Sequence, residues 1–392
     1  MDADLPVTTP PQRPARLLAF YLPQFHPIPE NDVAWGNGFT EWTNVVRARP
    51  AFPGHRQPRL PADLGFYDLR LDETRVAQAN LAADAGISGF VYYHYWFGGK
   101  RLLHRPLDQL LATGEPDFPF ALCWANENWT RTWDGGDDVL LQRQQHSAAD
   151  DEAHARWLAG VMRDPRYLVI DGRPLLMVYK ASLLPDPAAT NERFRRVLAE
   201  EGVPSPYLVM VESTSWERAR TPIDLGFDAS VDFFPDWDDL GRPRRHGRLH
   251  GALRRLGLSP RGYGANRVYD YADVVRRRWQ RPARSTPPRF PVVCPGWDNS
   301  PRRRSGALIL DEPSVEVYEQ WLGRALDEAE SYDGDERLVF VNAWNEWAEG
   351  AVMEPSDLDG RSFLDATKRV VAGRRQGKSR SGQQVPVPDA AD

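Results

Sequence analysis

Eight short apolar runs alternate with helical patterns along this chain, and that alternation constrains its fold more than any other feature. The runs are residues 16–21, 87–95, 118–125, 174–179, 207–211, 229–234, 290–294 and 338–343. Most are continuously apolar, as parallel strands buried on both faces must be. Helical patterns occupy 72–85, 105–112, 148–162, 188–200, 314–329 and 364–372. Pro313 ahead of Ser314 favours a helix start, and Gly202 behind Glu201 favours a stop. Eight strands with intervening helices and no short repeat predict the α/β class, a (β/α)8 TIM barrel forming a single domain. An open doubly wound sheet is the rival, but it calls for a glycine-rich turn after the first strand. Tyr21-Leu22-Pro23-Gln24-Phe25 stands there instead. Two long βα-loop insertions interrupt the alternation, 22–71 and 236–289. The second is Arg-rich, and seventeen arginines fall within 241–304. Insertions of that length in a compact domain are usually functional or partly disordered.

The barrel is expected over 15–373, with polar tails at 1–14 and 374–392 that carry no apolar period and read as disordered. The 392 residues include fourteen Trp and thirteen Tyr beside only five Met, more aromatic surface than a core needs. A net charge of −6 argues against nucleic acid as a partner. Cys123 and Cys294 are the only cysteines, both in apolar runs, which excludes a disulfide scaffold and fits a reducing compartment. The first residues show no basic-then-apolar leader, and no stretch is long enough to be an integral membrane segment, so the expected location is cytoplasmic.

In a barrel of this kind the chemistry lies where the strands end. Those ends carry Tyr21 with Gln24 and His26; His94 with Tyr95 and Trp96; Trp124 with Asn126 and Glu127; Tyr179 with Lys180; Glu212; Asp236 with Trp237; Trp297 with Asp298 and Asn299. The last is Trp344-Asn345-Glu346-Trp347-Ala348-Glu349-Gly350. Aromatic faces stack on sugar C–H surfaces, while carboxylates, amides and imidazoles bind hydroxyls. The candidate substrate-binding residues are therefore Tyr21, His94, Trp96, Trp124, Asn126, Glu127, Tyr179, Glu212, Trp297, Asp298, Trp344, Asn345 and Trp347. Capping of the core by amphipathic rings is the competing explanation for individual Trp and Tyr residues, and a structural hydrogen bond the competing one for Glu127. Glu346 and Glu349 are the candidate catalytic pair. An isolated E-x-x-E is usually a solvated helix face. Beside Trp344, Asn345 and Trp347 at the last strand end, two near carboxylates can divide into a general acid and a base, as glycosidic-bond chemistry requires.

Weaker signals are read as structural. Asp236-Trp237-Asp238 has the D-x-D form of a metal-holding triplet, but a loop turn explains it better. His246 and His250 are four apart without a third ligand, so no metal site and no cofactor are expected. The Arg-rich insertion is a candidate for peripheral contact with a membrane surface, an anionic glycan or a lipid-linked phosphate, and a solvated variable loop explains it as well.

Four motifs carry a family resemblance: 20–26 (FYLPQFH), 89–97 (GFVYYHYWF), 123–129 (CWANENW) and 344–350 (WNEWAEG). Over roughly residues 15–372 the chain resembles the WbsX-like family, labelled glycosyltransferase in surface-polysaccharide clusters. That family is similar to glycoside hydrolase family 99, the endo-α-mannosidases and endo-α-mannanases. The second likeness rests on the barrel and on Glu346-Trp347-Ala348-Glu349-Gly350. It implies retaining cleavage, with Glu346 deprotonating the sugar 2-hydroxyl and Glu349 serving as general acid and then general base. The expected activity is thus glycoside hydrolase-like, on a bacterial oligo- or polysaccharide. The alternatives are a glycosyltransferase or transglycosylase of surface-polysaccharide (O-antigen or capsule) biosynthesis, and a glycan-binding barrel without activity.

Overall fold

The computed structural model describes residues 14–131, 136–244, 266–283, 286–303 and 305–381. His246, His250, the middle of the Arg-rich insertion and most of both expected tails lie outside the described residues. The barrel wall is built from β1 (Arg16–Tyr21), β2 (Gly89–Phe97), β3 (Phe120–Trp124), β4 (Arg173–Val178), β5 (Tyr207–Glu212), β6 (Ala229–Asp232), β7 (Arg289–Phe290), β8 (Val292–Val293) and β9 (Leu338–Val341). All pair in parallel: β6 to β5, and so on down to β1, which pairs with β9. β7 pairs with β6 and β8 with β9, so 289–293 closes the ring.

That closing segment corrects the expectation of one uninterrupted strand at 290–294. Pro291 has no N–H to give to a ladder, so the run splits into two short strands. Its carbonyl still accepts the Phe340 N–H at 2.9 Å, and Ser230 donates to the Pro288 carbonyl at 3.0 Å. Each half therefore serves one neighbour. The wall residues are buried on both faces, from Leu17–Tyr21 to Leu338–Val341. Such full burial contributes about 1.5–3 kcal/mol for each large aliphatic or aromatic side chain.

The outer layer comprises α1 (Asp72–Asp84), α2 (Arg105–Thr113), α3 (Ala148–Met162), α4 (Pro187–Glu200), α5 (Tyr271–Arg278), α6 (Val315–Ala329) and α7 (Ser362–Ser381). Side chains of Ser147, Asp186, Asp270 and Ser314 accept the backbone N–H three residues on, capping α3, α4, α5 and α6. α5 falls inside the Arg-rich insertion, where its three consecutive arginines mask the buried pair Val274 and Val275. α7 continues past 373, the boundary expected from the sequence.

A second difference bears on the site. After β8 the chain leaves the wall, and Trp297–Asp298 and Leu308–Asp311 form a separate three-stranded sheet with Arg267–Asp270 of the Arg-rich insertion. Trp297 and Asp298, expected at a barrel strand end, belong to this sheet. The excursion carries a short turn, Ser300–Arg302, back over the barrel.

Candidate active site

Beyond β9 the chain makes a tight hairpin in which Asn345–Glu346 pairs antiparallel with Ala351–Val352. The turn Trp347–Glu349 ends at Gly350, whose φ of +66° suits glycine. A Cβ there would meet the Asp298 backbone nitrogen at 2.9 Å. Asn345 does not face substrate space. Its Nδ2 donates to the Leu22 carbonyl at 3.0 Å and its Oδ1 accepts the Leu22 N–H at 2.8 Å, tying the hairpin to the end of β1. The Trp347 indole is also anchored, donating to Glu354 Oε2 at 2.6 Å. Glu354 further accepts from Gln78 Nε2 at 2.6 Å and Tyr67 O–H at 2.8 Å. Burial pushes the Glu354 carboxyl up to about 7. Tyr21 completes this buried network by donating to Gln78 Oε1 at 2.7 Å.

So braced, Glu346 and Glu349 line a cavity of about 600 Å³. Arg302, brought in by the excursion, bridges them: its Nη2 donates to Glu346 Oε1 and its Nη1 to Glu349 Oε1 at 2.5 Å. Its Nε donates to Glu41, a fully buried carboxylate that also accepts from Gln24. One guanidinium thus faces three carboxylates. Burial pushes Glu346 well above the ordinary carboxylate range; Arg302 opposes the shift, while Glu349 and Glu41 add to it. Burial likewise raises Glu41. Glu346 Oε2 makes no hydrogen bond among the described residues.

Of the residues the sequence proposed for sugar contact, Glu127 and Tyr179 line the same cavity. Glu127 is paired with Lys180, also a lining residue. Tyr179 packs edge-on against Tyr93 and Phe233, with ring centroids 5.7 and 5.4 Å apart. Asn126 stands behind them, its amide bonded to both the N–H and the carbonyl of Lys180 at 2.9 and 2.7 Å.

The structure does not bring the others to the cavity lining, and in each case packing or hydrogen bonding explains why. His94 is stacked on Trp157 at 4.5 Å, with its Nε2 3.0 Å from His154 Nε2. Trp96 stacks on His154 at 4.7 Å and donates to Asp150 at 2.9 Å. Trp124 meets His154 edge-on, and Trp344 is fully buried against Phe90. Glu212 accepts from Ser230 inside the wall at 2.7 Å. Trp297 is buried, and Asp298 is held by His55 at 2.8 Å and Gln57 at 2.6 Å. Tyr21, Asn345 and Trp347 belong to the brace described above.

The D-x-D triplet is a turn. Asp236 accepts the Asp238 N–H at 3.0 Å and is paired with Arg218 and Arg281. Among the described residues no group of three or more His, Cys, Asp or Glu is arranged to hold a metal, and no helix is long and apolar enough to cross a membrane.

The sequence reading missed Arg302, Glu41, Tyr93 and Trp129, and left Gln24, Tyr95 and Lys180 as bystanders at strand ends. Tyr93, Tyr95 and Trp129 join Tyr179 and Phe233 as the aromatic part of the lining. Their motifs were visible, but which face they present follows from the pleat of the closed wall. Arg302 carried no signal, being one arginine of seventeen in an insertion-rich region.

A profile of the family described as "Glycosyltransferase WbsX" matches residues 17–367. An uncharacterized protein, WxcX, of Xanthomonas campestris pv. campestris strain B100 is 46% identical over 364 residues, covering 92% of this chain and 50% of that protein. Its counterpart in a second strain is 46% identical over 367 residues, covering 93% and 51%. The chain thus spans about half the length of the curated relatives it matches. Among solved structures, the endo-alpha-mannosidase of glycoside hydrolase family 99 from Bacteroides thetaiotaomicron superposes with a TM-score of 0.55 at 14% identity, covering 94% of this chain and 99% of that one. At that identity the likeness is one of fold.

Proposed function

From the premise that the chain belongs to the WbsX glycosyltransferase family, we propose that it acts on glycosidic bonds of a bacterial oligo- or polysaccharide by a retaining, two-glutamate route. The observation that carries this reading is the buried Glu346–Arg302–Glu349 bridge, with Glu346 Oε2 left unbonded beside a sugar-sized cavity. Glu346 takes the proton of the sugar 2-hydroxyl as that oxygen attacks the anomeric carbon. Glu349 protonates the departing glycosidic oxygen, leaving a 1,2-anhydro sugar. Glu349 then deprotonates the incoming hydroxyl that opens this ring at the anomeric carbon, and Glu346 returns its proton to the 2-oxygen. A base whose affinity for protons is raised by burial suits the first step. Tyr179, Glu127 and Lys180 are the sugar contacts this reading favours.

Water and a sugar hydroxyl are equivalent in the last step, so transfer is the second reading, and the family's description favours it. Action in the cytoplasm during surface-polysaccharide assembly fits transfer, with the Arg-rich insertion as the candidate contact for an anionic or lipid-linked acceptor at the membrane.

The purified chain, incubated with a panel of bacterial surface glycans and followed by mass spectrometry, separates the two. Free reducing sugar supports hydrolysis, and lengthened glycan supports transfer. Glu346→Gln and Glu349→Gln should each lower turnover by about 10³-fold or more while the circular dichroism stays unchanged. Near-normal turnover in both variants would sink the assignment.

A further inference from the structure

A second cavity, of about 530 Å³, lies between the wall at Pro291 and Val292 and helices α5 and α6, and shares no lining residue with the catalytic one. We infer that it is a binding site for an oxyanion of the phosphate class, recognised by the guanidinium groups of Arg278, Arg281, Arg289 and Arg324.

These groups line one cavity, and several of their donors are unused, although Asp239 Oδ2 beside Arg281 is an unused acceptor as well. Arg278, only 7% exposed, is paired with Asp232, yet its Nη1 has no hydrogen-bond partner among the described residues. Arg281 gives Nη1 to Asp236 at 2.6 Å and Nε to Asp239 at 2.9 Å, and its buried Nη2 is likewise unbonded. Arg289 approaches Asp232 from the strand side, with Nε 3.6 Å from the carboxylate and no hydrogen bond at that nitrogen. One aspartate is therefore shared between two guanidiniums. Arg324 lies over the Trp279 ring at 4.5 Å, and the buried Trp279 Nε1 also lacks an acceptor.

Buried donors without acceptors are costly, and native structures keep few of them. Here several belong to residues that line one cavity. Burial, and after it the neighbouring charges of Arg281 and Arg289, push Arg278 down to about 9. Of the acids on the far wall, Glu328 opposes this only in part. Asp327 is engaged by Arg374 at 2.8 Å, and burial raises Glu328, which accepts from Tyr332 at 3.3 Å. A tetrahedral oxyanion offers several acceptor oxygens to forked N–H donors and carries the compensating charge. Inorganic phosphate and the phosphate of a sugar ester present the same group, and the test distinguishes them.

Titration calorimetry of the full chain with inorganic phosphate, and separately with glucose 1-phosphate, decides the matter. Saturable binding with one site per chain is expected. Tighter binding of the ester assigns the site to an organic phosphate, and equal affinities assign it to the free ion. Arg278→Lys keeps a charge opposite Asp232 but removes the fork, and should weaken binding about tenfold or more. Arg324 is exposed, so Arg324→Ala should fold normally and show the same direction of change. Arg276→Ala, an exposed position that does not line the cavity, should leave affinity unchanged. Absence of saturable heat with either probe, or affinity untouched by both Arg278→Lys and Arg324→Ala, would overturn the inference.

Discussion

Arg302 is the cation set among the carboxylates of the cavity that Glu346 and Glu349 line. Among the described residues it is the one cation bonded to all of Glu41, Glu346 and Glu349, so its loss leaves these carboxylates facing one another. Removing one partner of a buried ionic set costs far more than the set contributes when intact. Because Arg302 lowers the proton affinity of Glu346, Arg302→Gln should move the acidic limb of the pH–kcat profile to higher pH. It should also lower kcat by on the order of 10²-fold. The profile is the diagnostic measurement, since simple loosening of the fold would lower activity without moving that limb. The placement of Glu346 and Glu349 on one cavity was legible in the sequence because the last strand end fixes it. Arg302 was not, because its role depends on where a non-barrel excursion returns, and no local pattern encodes that.

At the level of elements, the hairpin after β9 is the part that a single methyl group would disturb. Gly350 has a left-handed φ of +66° and abuts the Asp298 nitrogen, so Gly350→Ala meets strain and collision together. A loss of about 1–3 kcal/mol in stability is expected, readable as a lower urea midpoint. Turnover should fall more than stability does, because the turn aims Glu349. The same contact explains why Trp297 and Asp298 read misleadingly as strand-end residues: they press on the back of the hairpin from another sheet. Strand positions were legible because continuous apolar runs report burial on both faces. The split at Pro291 was legible in principle, since the missing N–H is a property of the residue. The misplaced sugar contacts share a different cause. An aromatic ring or amide at a strand end can turn inward to cap the core or outward to the cavity, and in Trp124, Trp344 and Asn126 the inward demands win. The burial of the two indoles and the bonds of the Asn126 amide to Lys180 can be seen only once the wall is closed.

Taken as a whole, the molecule buries several imidazoles. Burial lowers His26 to about 4 and His94 to about 3, and drives His154 down as well. In each case the unfolded chain, with a value near 6.5, binds the proton more readily than the folded one. Stability from these groups is therefore complete above about pH 6.5 and declines as pH falls toward their folded values. Thermal melts between pH 7 and 4 should show Tm dropping with acid, and His154→Phe, which keeps a ring between Trp96 and Trp124, should flatten that slope. An unchanged slope would remove His154 from the account. The excursion between β8 and α6 has one further consequence. The glutamates are presented by the hairpin after β9, whereas the cation that lowers the proton affinity of Glu346 arrives on a turn of the excursion, which takes no part in the wall. Acidity and scaffold are thus written in different stretches of the chain. Changes to 297–311 can retune the reaction to another working pH, or another leaving group, while the barrel stays as it is.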